Sequence, residues 1–186
     1  VTPSDITRRR LYDEGLAIAK EFLALNNIVI PRFILKDLNS TGLYYENKVF
    51  VNLPATTTPV PRPYHMRWSW PGWKTDRTAI GVVVHETGHH VMDNIRQFPH
   101  RYWNALRKKT KKISSYEPNA DEAWAESMRV FILNPDLLRL AVPARYNLIC
   151  SCGVQPIAKR LADGYAACLD NNPYYIEAAQ KWIAAA

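Results

Sequence analysis

The stretch VVVHETGHHVMD, Val82 to Asp93, decides the reading of everything around it. Inside it, His85-Glu86-Thr87-Gly88-His89 spells H-E-x-x-H. On an α-helix, residues four apart share a face and lie about 6 Å apart along the axis, so two imidazoles can grip one ion. On a strand the same pair would be roughly 13 Å apart. The β-branched run Val82-Val83-Val84 favours a strand by propensity, whereas the histidine spacing is useful only on a helix. The chemistry decides the conflict. A buried helix with one functional face is expected here, carrying His85 and His89 as metal ligands.

A metal site that does chemistry needs a third protein ligand and an open position. About thirty residues further on, Asn119-Ala120-Asp121-Glu122-Ala123-Trp124-Ala125-Glu126-Ser127 places Glu122 and Glu126 four apart on one helix face, in an apolar segment that ends Val130-Phe131-Ile132-Leu133. Carboxylates on a semi-buried face require a cation nearby. The alternative is a solvated acidic face, against which the flanking Ala, Trp, Met and Phe argue.

HETGH followed by DEAWAES resembles the gluzincin branch of the zincin metallopeptidases, in which H-E-x-x-H supplies two ligands and a glutamate from a later helix supplies the third. The E-x-x-A-E arrangement is similar to that of the anthrax lethal factor catalytic domain and of related toxin and phage zincins. The resemblance spans about Ile28 to Leu133. It implies Glu122 as the third ligand and Glu126 as the residue that supports a ligand from behind. It also implies one Zn²⁺ per chain. Tyr116, six residues before Glu122, occupies a position similar to that from which such enzymes offer a tyrosine hydroxyl to the transition state. No histidine follows at the H-x-x-G-x-x-H spacing of metzincins, so that branch is set aside.

Outward from the motif, the chain of 186 residues with 47% hydrophobic content suits one globular domain, residues 1–186, with one sizeable core. Ser4-Asp5 and the segment after it, with Leu11, Leu16, Ala19, Phe22 and Leu23 near helical period, predict a helix of about twenty residues ending at Asn26-Asn27. Ile28 to Leu35 is strand-like but interrupted by Pro31. Gly42 to Leu53 has two β-rich runs flanking Glu46-Asn47-Lys48, a hairpin signal with Asn47 in the turn. In zincins the active-site helix packs under a small sheet whose edge strand binds extended peptide. The hairpin resembles that sheet, which implies substrate recognition partly by strand addition.

Ala55 to Asp76 is rich in proline and tryptophan and reads as a loop beside the cleft. Trp68, Trp70 and Trp73 would either wall the substrate or pack the loop down, and His65 there could serve as a ligand or acid, although a lone loop histidine is more often a surface residue. Asp76 or Thr78 is expected to cap the H-E-x-x-H helix, which would run to about Arg96 before Pro99. His100 to Lys112 is basic and partly amphipathic. With Arg8, Arg9 and Arg10 it accounts for much of the net charge of +7. Such a balance permits attraction to nucleic acid or acidic protein, although no nucleic-acid motif accompanies it and a charge run is usually a solvated face. Asn172 and Pro173 signal a last helix. Three cysteines, Cys150, Cys152 and Cys168, form neither a complete disulfide framework nor a four-ligand zinc site, and read as free thiols in a reducing, cytoplasmic setting. The chain opens at Val1, as a processed product would, and contains no signal peptide and no apolar run of about 18 residues. No membrane span is expected.

Together these readings predict an α+β chain with a small mixed sheet on the H-E-x-x-H helix and a helical C-terminal half. Two neutral imidazoles and one carboxylate would leave the metal with net positive charge and an open position. Glu86, one residue round the helix from His85, is placed as general base: it would take a proton from the attacking water and pass it to the leaving amine. Tyr116 would help hold the oxyanion. Asp93 either orients a ligand from behind or is a surface carboxylate. The expected activity is peptide hydrolysis, including the narrow substrate range of a toxin or phage-encoded, virion-associated protease. The competing reading is a catalytically silent zincin scaffold that binds nucleic acid or a partner protein through its basic surface. An intact Glu86 favours the enzyme, since a purely structural metal site has no use for a general base.

Overall fold

The computed structural model describes residues 2–57, 77–114, 116–135, 138–139 and 142–157. His65, the tryptophans at 68, 70 and 73, Asp76, Cys168, Asn172 and Pro173 lie outside the described residues. Among the described residues, five helices and a three-stranded sheet give an α+β architecture. In chain order they are α1 (Pro3–Leu25), β1 (Arg32–Leu35), β2 (Gly42–Tyr45), β3 (Lys48–Val51), α2 (Ala79–Asn94), α3 (His100–Lys109), α4 (Ala120–Leu133) and α5 (Pro143–Ser151). A short 3₁₀ turn, Leu53–Ala55, follows the sheet.

α1 starts earlier than the Ser4-Asp5 signal implied. Thr2 is its cap, with Pro3 in the first turn, and Thr2 and Asp5 form a reciprocal capping box. Proline costs nothing in the first turn because its missing N–H would have had no partner there. The buried face, Leu11, Ile18, Ala19, Phe22 and Leu23, meets α2 and α4.

After Pro31 the chain forms β1, which pairs in parallel with β3. β2 pairs with β3 antiparallel, giving the order β1-β3-β2 and a mixed sheet. Glu46 and Asn47 both have positive φ, 48° and 59°. That is the two-residue hairpin turn whose twist suits the flanking strands, and asparagine tolerates it well. Val49 and Val51 point into the core, while Leu43 and Tyr45 on the opposite face are exposed.

α2 is the central element, and it settles the competition between propensity and chemistry at Val82–Val84. All three valines are buried in a helix that Thr78 caps by accepting from Gly81 N–H at 3.2 Å. Placing three valines in a helix costs roughly 2 kcal/mol relative to alanine. Burying them returns about 1.5–3 kcal/mol each. α2 gains that burial because α1 and α4 cover it on two sides and β2 and β3 on a third. Gly88 brings α4 close: a Cβ there would lie 2.9 Å from Ala125 Cα and 2.9 Å from Met128 Cβ.

α3 is basic and buries only Trp103, whose indole N–H donates to the Ala120 carbonyl at 2.8 Å. It thereby props the start of α4. Among the described residues no helix is long and apolar enough to cross a membrane.

Candidate metal centre

α2 and α4 meet through their polar faces at one wall of a cavity of about 870 Å³. His85 and His89, one turn apart on α2, have ring centroids 5.1 Å apart. Glu122 enters from the first turn of α4, where Asn119 caps the helix by accepting from the Glu122 N–H at 2.9 Å. Its Oε2 lies 3.0 Å from His85 Nε2 and 3.6 Å from His89 Nε2.

His85, His89 and Glu122 each offer a ligand atom, and these atoms lie within 4.8 Å of one another. Ligands at about 2.0–2.1 Å around a tetrahedral ion stand roughly 3.3 Å apart. The observed 3.0 and 3.6 Å separations bracket that figure. The donor set could therefore hold a small divalent cation.

Glu126, one turn after Glu122, lies behind the site rather than in it. Its Oε1 is 2.8 Å from His85 Nδ1, which commits that nitrogen and turns Nε2 toward Glu122. Glu126 is fully buried, and Arg129 neutralises it through bonds of 3.0 and 2.9 Å to its two oxygens. Arg129 is a residue the sequence reading missed. Its signal was present as Glu126-x-x-Arg129, an ion-pair spacing on an otherwise apolar helix.

Burial opposes charge on His85, but hydrogen bonds to Glu122 and Glu126 outweigh it and hold the imidazole pKa up at about 10. Burial pushes the Glu122 carboxyl up as well, yet its bonds to His85 and His89 bring it down to about 2. The two groups thus favour an imidazolium–carboxylate pair, and a cation ligated there would compete with the proton on His85.

Glu86 turns from α2 to the side of the cavity next to the sheet. It is buried, which raises its carboxyl pKa; the imidazoles of His85 and His89 oppose the rise, and a hydrogen bond from the Tyr44 main chain opposes it further. It does not belong to the metal-ligating group. Tyr116, in the loop ahead of α4, lines the same cavity with its ring centroid 5.9 Å from that of His85. Burial and the nearby carboxylates of Glu122 and Glu86 raise its phenol pKa. The Tyr116 loop is pinned by its neighbour Glu117, which accepts from the Ile113 and Ser114 N–H groups and is clamped by buried Arg145 through two 3.1 Å bonds.

Asp93 is exposed and is no ligand; burial, with the nearby Asp93 carboxylate, drives the Tyr44 pKa up to about 12. His90, the other histidine of the run, faces away from the metal group. It is fully buried, with Nε2 donating to the Val29 carbonyl at 2.6 Å and Nδ1 lying 3.3 Å from the Tyr44 hydroxyl. These contacts tie β2 and the segment before β1 to α2. Cys150 and Cys152 are free thiols, partly buried on and just after α5, away from this cavity. Compared with protein-family models, curated proteins and solved structures, the chain matches none.

Proposed function

We propose that this protein is a zinc-dependent metallopeptidase of the gluzincin kind, hydrolysing peptide bonds with Glu86 as general base. One observation carries the reading: a two-histidine, one-carboxylate group and a separate buried carboxylate, Glu86, face the same open cavity. A structural metal site closes its coordination shell and needs no extra carboxylate. A hydrolytic site needs both an open position and a base.

His85, His89 and Glu122 would hold the ion. Bound there, a Zn²⁺ supplies Lewis acidity and lowers the pKa of water toward neutrality. Glu86 accepts a proton from the attacking water and returns it to the departing amine. Its raised pKa suits that double duty, because a base that must release its proton again works best near the operating pH. The Tyr116 hydroxyl, protonated at neutral pH, donates to the developing oxyanion. Glu126, neutralised by Arg129, holds the His85 ring so that Nε2 stays aimed at the ion.

The test pairs metal analysis with proteomic mapping of cleavage sites in a lysate. The parent is expected to carry about one zinc and to generate defined new termini. Glu86→Gln preserves size and hydrogen bonding but removes the base. It should keep its zinc while hydrolysis falls at least ~10²-fold. Cleavage by the variant at the parental rate rejects Glu86 as base. A parent that binds zinc and cuts nothing when metal-replete supports a silent scaffold instead.

A further inference from the structure

Among the described residues β2 lies at an edge of the sheet, next to α2. The Asn52 N–H donates to the Thr41 carbonyl at 2.9 Å, so residues 41, 43 and 45 turn their main-chain groups toward β3. By alternation, those of Gly42 and Tyr44 point off the edge away from β3. There the Tyr44 N–H faces the Glu86 carboxylate and favours its charged form. Gly42 sits still closer: a Cβ at this position would lie 2.6 Å from Glu86 Oε1, 3.0 Å from Glu86 Cγ and 2.6 Å from Val82 Cγ1. Gly42 has no positive φ, so its backbone conformation would admit any residue. The requirement is for space, and Glu86 fills that space.

From this geometry we infer that the edge of β2 away from β3 is the seat of Glu86: Gly42 leaves room for the carboxylate and the Tyr44 N–H fixes its direction, making Gly42 a positioning residue. The inference rests on the peptidase reading for its catalytic meaning, although the seat itself does not depend on hydrolysis. The Tyr44 side chain anchors the strand to α2 through His90, whose Nδ1 lies 3.3 Å from the Tyr44 hydroxyl, so the N–H is delivered from a strand tied to the helix that bears Glu86. The Gly42 carbonyl already accepts from the Ser40 hydroxyl at 2.7 Å. A peptide added along β2 would therefore compete with Glu86 for the Tyr44 N–H and with Ser40 for the Gly42 carbonyl. Strand addition at this edge is restricted accordingly.

The test reads the seat directly and then through catalysis, on the full chain. In ¹⁵N–¹H NMR spectra of metal-free protein, the Tyr44 amide should be shifted downfield and slow to exchange, as expected for a bond to a carboxylate. Glu86→Gln, which substitutes a neutral acceptor, should move it upfield. Gly42→Ala should move the same amide, and adding Glu86→Gln to it should then have little further effect. A Tyr44 amide indifferent to Glu86→Gln overturns the seat, even if Gly42→Ala fails to fold. In kinetics, Gly42→Ala should keep its zinc and its KM within about twofold, while kcat falls by about 10²-fold, the cost of a misplacement near 1 Å. Restoration of kcat by adding Val82→Ala would mean that strand packing alone was disturbed, and would also overturn the proposal. If the parent hydrolyses nothing, the peptidase reading falls while the amide response still decides the seat.

Discussion

Glu122 and Glu126 are the same residue type one helical turn apart, and their surroundings give them different duties. Glu122 is partly exposed and touches both imidazoles, so its loss should remove a ligand with little cost to the fold. Glu126 is fully buried against Arg129 and His85. Taking away one partner of a buried ion pair costs about 3–5 kcal/mol, and losing a residue that orients a ligand weakens metal binding about 10–100-fold. Glu122→Ala should therefore lose most of its zinc yet melt near the parent, whereas Glu126→Ala should melt much lower and retain measurable zinc. Metal titration alongside calorimetry separates the two, and the opposite pattern would exchange their roles. His89→Ala should likewise lose its zinc; full retention would break the assignment of the ligand group.

At the level of elements, the site exists because α2 and α4 approach closely at Gly88. Gly88→Ala sets two effects against each other. Alanine improves helix propensity by about 1 kcal/mol, but its methyl would press on Ala125 Cα and the Ala125 carbonyl, at 2.9 and 3.1 Å. Main-chain atoms in a packed helix cannot swing aside, and overpacking of this kind costs about 1–3 kcal/mol. The clash should win. The variant is expected to lose up to about 2 kcal/mol in denaturant unfolding and to bind zinc more weakly, since Glu122 moves with α4. Unchanged stability and affinity would show that α4 can shift without disturbing the ligands. The buried Arg145–Glu117 clamp does for the Tyr116 loop what Gly88 does for the helix pair.

For the whole molecule, the question is how far folding depends on the metal. The core around α2 is built of apolar side chains, none of them in the metal-ligating group. Chelation should thus leave a folded chain, unlike a zinc finger, which unfolds. Zinc at about 100-fold above its dissociation constant should add ~2.7 kcal/mol, raising the melting temperature of a chain this size by about 5–11 °C. A far-UV spectrum that collapses on chelation would make the ion structural, and a melting point indifferent to zinc would deny the site altogether.

What could be read along the chain was whatever depends on local spacing. Two histidines four apart, two glutamates four apart, the Glu46-Asn47 turn and the period of α1 are properties of single elements, and each stands in the structure where it was expected. Arg129 was legible too, three residues from Glu126, but nothing in the sequence showed that the pair would be buried. What remained hidden were relations between elements distant in the chain. Gly42 is an ordinary glycine at the start of a strand until β2 is laid against α2, when a missing methyl becomes the space that Glu86 occupies. Arg145 is one cation among many until α5 carries it to Glu117. Residue type and periodicity determined which groups could bind a metal and move a proton. Only packing decided which of them are desolvated, which are paired and which way each one faces, because burial and close approach depend on all the elements that cover a residue.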